Sequence, residues 1–196
     1  TIAAVVPESV KVEFTIDPTR REELRELSWA AHKIEVTTHR TNMESVDLMR
    51  IGKSEINANP DGIDIGGSAF LDAAALVGII SRQELADPTS SGFQIGLDMY
   101  QEMMFTAMAH LWLSTDGNRR VDQLAWIRTN MKATELSIGI HPLSQALQEY
   151  EEMEPLYKEV HTKLAAPGHR IQMLGRLGYG PTIPGGPRWP IETRVL

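Results

Sequence analysis

Residues 10–16 (VKVEFTI) alternate apolar and polar side chains, placing Val10, Val12, Phe14 and Ile16 on one face with the period of a strand. Asp17-Pro18-Thr19 then supplies a turn and a helix start, and residues 20–39 are rich in helix formers. Within them Leu24, Leu27, Ala31 and Ile34 step by three and four, the spacing of a helix that packs one face. A second, short helix is predicted over 45–51. Residues 57–67 (NANPDGIDIGG) read as a loop dense in turn formers, after which Ser68 can cap a helix running to Ile80. Residues 87–92 form another break, and a helix is predicted over 95–105. Met99, Met103, Met104 and Met108 read as adaptable core filling.

From Ala107 the pattern changes. Residues 107–114 (AMAHLWLS) alternate as a strand, with Met108, His110, Trp112 and Ser114 opposite Ala109, Leu111 and Leu113. Thr115-Asp116-Gly117-Asn118 breaks it, and a helix follows over 120–138 with Leu124, Ile127, Met131 and Ile138 on one stripe. Gly139 has the character of a residue just past a helix end. A short segment, 140–143, leads to helices predicted at 144–153 and 155–164, and Ala166-Pro167-Gly168 is a turn. Residues 170–177 (RIQMLGRL) read as a buried strand, and 178–190 as an extended Gly/Pro-rich tail. Strands separated by long helices cannot be simple hairpins, so the pattern predicts an α+β fold, a mixed sheet layered with helices. Its natural division is a helix-rich part, 1–106, and a second part, 107–196, ending in the tail.

Composition narrows the function classes. With 196 residues the chain can hold one large domain, or most of one. A net charge of -7 argues against nucleic-acid phosphates and anionic membrane surfaces as partners. The chain has no cysteine, which excludes disulfides, thiolate metal sites and cysteine nucleophiles and agrees with a cytoplasmic setting. No apolar run approaches the ~20 residues of a membrane-spanning helix. The six histidines show no metal-ligand spacing, and no metal is expected.

Chemistry concentrates in the tail. Glycines permit close backbone approach, prolines hold the segment extended, and Arg188 in such a segment can meet either a surface carboxylate or a phosphate. Gly66-Gly67-Ser68 could hold an anion or simply cap a helix. Arg119-Arg120 opens a helix against its dipole, so a carboxylate or a phosphate partner is expected there, the carboxylate first. The acidic run 149–154 reads as a solvated face. Trp112, Trp126 and Trp189 read as core or pocket walls.

Three runs, in order, resemble the FMN-dependent nitroreductase-like family. Residues 133–145 (ATELSIGIHPLSQ) are similar to the helix and following loop that reach the flavin, and 172–180 (QMLGRLGYG) to the last core strand with its Gly-Tyr ending. Residues 187–192 (PRWPIE) are similar to the family's terminal arm. A looser, order-preserving likeness covers 28–93, and the whole resembles a dormancy-associated subfamily of two fused halves with a lid over the flavin. The resemblance implies that Pro142, Leu143, Ser144 and Gln145 lie beside the isoalloxazine ring, that His141 of the same loop serves the turn or touches the ring, and that Arg188 holds the FMN phosphate. It names no catalytic side chain, since the flavin itself performs hydride transfer.

One departure stands out. The family's second basic cluster, near its N-terminus, has no counterpart, because Arg20-Arg21 falls at a helix start after a strand. The resemblance therefore implies a homodimer, or a second nitroreductase-like half, to complete the site. The implied activity is transfer of electrons from NAD(P)H through FMN to a small-molecule acceptor such as a nitro compound or quinone. A flavin-sequestering protein of the same fold, without turnover, is the alternative, and a cofactor-free, helix-rich interaction domain is a third.

Overall fold

The structure, a computed structural model, describes residues 1–117, 119–181 and 185–195, with the backbone alone at 120, 121 and 123. Asn118 of the expected turn, 182–184 of the expected tail and the terminal Leu196 lie outside the described residues. The chain is α+β and divides into two compact units, one of Thr1–Glu35 and Tyr100–Pro181, the other of Val36–Met99 and Thr182–Leu196. The change of texture at 106/107 falls inside the first unit.

The first unit is built on a four-stranded antiparallel sheet in the order β1-β4-β6-β5. Its strands are β1 (Lys11–Thr15), β4 (Ala109–Thr115), β6 (Arg170–Gly178) and β5 (Gly139–Pro142). One face carries Trp112, Ile171 and Leu174 and packs on Leu24, Leu27 and Ala31 of helix α1 (Pro18–Thr37). Val160 and Leu164 of helix α8 (Glu154–Leu164) join the same core, as does Met104 near the end of helix α6 (Ser91–Phe105). The opposite face carries Leu111, Leu113 and Leu177 and meets Ala125 and Trp126 of helix α7 (Arg120–Glu135). Covered on both sides, β4 is buried from His110 to Thr115. Each large aliphatic side chain so buried contributes ~1.5–3 kcal/mol.

The second unit holds a two-stranded parallel sheet, β2 (Met49–Ile51) with β3 (Ile63–Ile65), in the register Met49↔Ile63. Around it stand helices α2 (His39–Leu48), α3 (Gly52–Ala58), α4 (Ala69–Leu76) and α5 (Arg82–Ala86). Both senses of pairing expected of a mixed sheet thus occur, but in separate sheets.

Several local expectations change. Residues 49–51, expected to end a helix, form β2, and the expected loop contains β3; three-residue strands exist only through their partner, which local periodicity cannot show. Residues 144–153 form no continuous helix. Two 3-10 turns, Gln145–Leu147 and Glu151–Met153, dip Ala146 and Met153 into the core instead. The helix expected from Ser68 to Ile80 stops at Leu76, although Ser68 does cap it, its Oγ accepting from Leu71 N at 3.1 Å. The methionines divide: Met104 is buried, while Met99, Met103 and Met108 are exposed.

Helix α7 reverses its expected polarity. Leu124, Ile127 and Met131 are 46%, 56% and 68% exposed, and the side facing inward is Ala125, Thr129 and Ala133, all fully buried. Small residues let the helix lie close on the sheet. The helix ends at Glu135, and the residue just past its cap is Ser137 and not Gly139: the Ile138 amide donates to Ala133 O at 2.9 Å, a Schellman closure. That closure holds Ser137 at φ 57°, the only non-glycine residue with positive φ among the described residues.

Candidate functional site

Strand β5 is a sheet edge, and the residues for which ring contact was expected lie on it or just beyond it. Pairing across the sheet aligns Thr15 with His110, His110 with Arg176, and Arg176 with His141. Directly opposed residues share a face, so two histidines flank one arginine in a row across three strands. The surroundings of the row are cationic. Arg21 Nη1 donates to Met108 O at 3.1 Å, Arg25 Nη2 to Ala107 O at 2.7 Å, and Arg176 Nη1 to Met103 O at 2.6 Å. Three guanidinium groups thereby satisfy carbonyls at and just after the C-terminal end of α6, where a helix leaves acceptors unpaired and favours positive charge.

Arg176 is half-buried and makes no ion pair with any carboxylate among the described residues. Its Nε donates to His141 Nδ1 at 3.1 Å, so Nδ1 is the acceptor nitrogen of a neutral imidazole and Nε2 carries the hydrogen. Burial, then the Arg176 charge, pushes His141 down to about 4. Its Nε2 has no partner among the described residues and is not fully buried. The Tyr100 ring meets the His141 ring edge-on at 6.4 Å and stacks on His32 at 3.4 Å. Burial, then the Glu35 charge, raises the Tyr100 hydroxyl to about 12, and Gln145 lies against that hydroxyl. His110 is 1% exposed, its Nδ1 without a partner; burial and the charges of Arg25, Arg176 and Arg21 push it to about 4.

The residues singled out from the sequence separate by role. Pro142 is exposed, and Ser144 and Gln145 are half-buried. Leu143 is 2% exposed within the core, and its amide donates to Leu174 O at 2.8 Å, so it offers a ligand neither side chain nor N–H. Arg188 belongs to the other unit. There it is exposed and donates Nη1 to its neighbour Pro187 O at 2.7 Å, with no ion pair among the described residues. A Cβ on Gly186 would stand 2.9 Å from Arg188 Nη1 and 3.0 Å from Asp64 Oδ2, so the glycine keeps open a space bordered by both charges. Trp189 donates Nε1 to Asp61 Oδ2 at 3.0 Å, and that bond, with the Arg50 guanidinium, holds Asp61 below the usual carboxylate range.

The remaining basic candidates have structural partners. Arg20 Nη2 donates to Lys163 O at 2.6 Å, and Arg119 pairs with Asp122 at 3.0 Å. The acidic run is not purely solvated, since Glu149 pairs with Arg170 at 2.8 Å. Trp112 is a core wall whose Nε1 donates to Leu164 O at 3.1 Å. Among the described residues no group of three or more His, Asp or Glu side chains could hold a metal, and no helix is long and apolar enough to cross a membrane.

Arg176, Tyr100, His32 and His110 were not singled out as site residues from sequence. For His110 and Arg176 the available signal was a titratable or charged side chain well inside the strand patterns 107–114 and 170–177; His32 and Tyr100 carried none.

No family model matches the chain, and no curated protein matches it in sequence. Among solved structures it is similar to a nitroreductase-like family protein from Bacillus cereus. The two share 12% identity at a TM-score of 0.45, over 96% of this chain and 73% of that one.

Proposed function

We propose that residues 139–145 bind the ring of a flavin, FMN in the cell, and that the protein is an NAD(P)H-dependent oxidoreductase of nitroreductase type working in the cytoplasm. The carrying observation is His141. The sequence resemblance places this residue at the flavin loop, for ring contact or for the turn, and its neutral imidazole has a free Nε2–H backed by Arg176, a cation without an ion pair among the described residues. A flavin ring carries carbonyl oxygens and ring nitrogens along one edge, which accept from such a donor. Exposed Pro142 and half-buried Ser144 and Gln145 offer the adjoining surface, while Leu143 supports it from the core. Arg188, without an ion pair among the described residues, is the residue that the resemblance proposes for an FMN phosphate.

The chemistry that bound FMN would supply is hydride acceptance from reduced nicotinamide and electron transfer to a nitro compound, quinone or similar acceptor. The chain's task is then to orient the ring and keep water off it. A second copy of the chain, or a second half of similar fold, supplies the basic residues missing here.

The test is the visible spectrum of the purified protein after incubation with FMN, followed by stopped-flow mixing with NADH or NADPH. Yellow protein that bleaches rapidly is expected. Yellow protein that does not bleach would make it a flavin-sequestering protein, and failure to take up FMN would overturn both readings. Arg188→Ala should weaken FMN by ~1.5–3 kcal/mol, the range for a charge-assisted hydrogen bond, and leave riboflavin unaffected. Equal affinities for FMN before and after the substitution would remove Arg188 from the site.

A further inference from the structure

Arg176 stands near the end of strand β6, half-buried, with no carboxylate partner among the described residues. Carrying a guanidinium at such a position is costly unless the charge is used or well bonded. Two of its bonds, to Met103 O at 2.6 Å and Thr106 Oγ1 at 3.1 Å, anchor the end of α6. The third, from Nε to His141 Nδ1 at 3.1 Å, does something different. It leaves the imidazole one tautomer, with its hydrogen on Nε2, the nitrogen without a partner among the described residues. Among the described residues the negative charge that reaches this cluster is Glu35, which acts on Tyr100, and no carboxylate pairs with Arg176 itself. His110 is neutral on β4, Tyr100 on α6 keeps its proton, and Arg21 and Arg25 on α1 are cations.

We infer that Arg176 is a positioning residue: it locks His141 as an Nε2–H donor and gives the site a positive charge, without a carboxylate partner among the described residues, that favours the reduced, more electron-rich form of a bound flavin ring. The first half of this statement stands on the contacts alone; the second rests on the flavin reading above. A donor whose hydrogen is fixed on Nε2, with a cation behind it, interacts more strongly as negative charge accumulates on the acceptor. Ring affinity for the oxidised form should then depend weakly on the arginine, and affinity for the reduced form strongly.

Two substitutions separate the roles. Arg176→Gln keeps a donor for His141 Nδ1 and removes the charge, whereas Arg176→Lys keeps a charge and shortens the reach. Nitrogen-resolved NMR of the His141 ring, without flavin, should show the Nε2–H tautomer in the unaltered protein and in Arg176→Gln. A Nδ1–H tautomer in the unaltered protein would overturn the positioning role whatever flavin does.

Riboflavin, which lacks the phosphate, is the ring probe. Arg176→Gln should bind oxidised riboflavin within threefold of the unaltered protein and reduced riboflavin at least tenfold more weakly. A tenfold difference lowers the two-electron potential of the bound ring by about 30 mV, and Arg176→Lys should restore most of it. Equal weakening of both forms, with fold intact by circular dichroism, would overturn the electrostatic role. Should the unaltered protein bind neither riboflavin nor FMN, the function proposed above fails together with the second half of this inference, and the tautomer result alone decides the first.

Discussion

Replacing His110 by glutamine removes a titratable group from the centre of the sheet while keeping much of its volume and polarity. In the folded protein His110 is 1% exposed, with three guanidinium groups nearby, and it titrates at about 4 against an ordinary 6.5. A depressed folded pKa means that the unfolded chain takes up the proton first. Stability from this group is therefore fully present above about 6.5 and is lost as pH falls through about 4. Linkage between these two values gives a loss of ~0.8 kcal/mol at pH 6, ~2 at pH 5 and ~3 at pH 4. Urea unfolding of the parent and His110→Gln at each pH, read by tryptophan fluorescence, measures the difference directly. The variant pays a constant penalty for an imperfect fit, but its disadvantage should shrink as the pH falls and reverse if that penalty is below ~3 kcal/mol. The carboxylates held below their ordinary range, Asp61 and Asp122 among them, titrate alike in both proteins and cancel in the comparison. A stability difference that stays constant from pH 7 to 4 would refute the reasoning, because it would mean that His110 reaches solvent or a counter-charge in the folded state.

Ser137→Gly should stabilise the protein by ~0.5–1 kcal/mol in thermal or urea unfolding, since φ 57° is a strained angle for serine and a favoured one for glycine. Leu143→Ala should cost ~2–5 kcal/mol as a core truncation. If it instead leaves unfolding unchanged and abolishes flavin uptake, the side chain serves the ligand and not the core. Gly175→Ala should cost ~1–3 kcal/mol, because the new Cβ would stand 2.9 Å from Trp126 Cη2 and 3.3 Å from His141 O. A smaller ring, Trp126→Phe, combined with it should recover part of that loss in a double-mutant cycle.

Much of the main sheet was legible in the residues themselves. The strand patterns at 10–16, 107–114 and 170–177 and the three-and-four spacing in α1 are local signals, and β1, β4, β6 and α1 formed where those signals lie. Ser68 as a helix cap and 166–168 as a turn followed from side-chain and backbone chemistry within a few residues. Strands β2 and β3 were not legible, because three residues become a strand only when a partner across eleven residues of helix and loop, 52–62, shares their hydrogen bonds. Nor was the inward side of α7, since an apolar stripe says which residues could be buried and only the sheet says how close the helix must come.

The candidate site divides in the same way. The sequence by itself determined which segment to watch, 139–145, because its residue types and order resemble a flavin loop. Tertiary structure decided what each residue there can offer: Leu143 went to the core, and His141 became a donor at Nε2. It also brought in Arg176, thirty-five positions away, through an antiparallel pairing that sets the two side chains on one face of the sheet. Local propensity fixes the conformation of a segment, whereas the direction of a hydrogen bond and the charge behind it depend on which strand lies alongside.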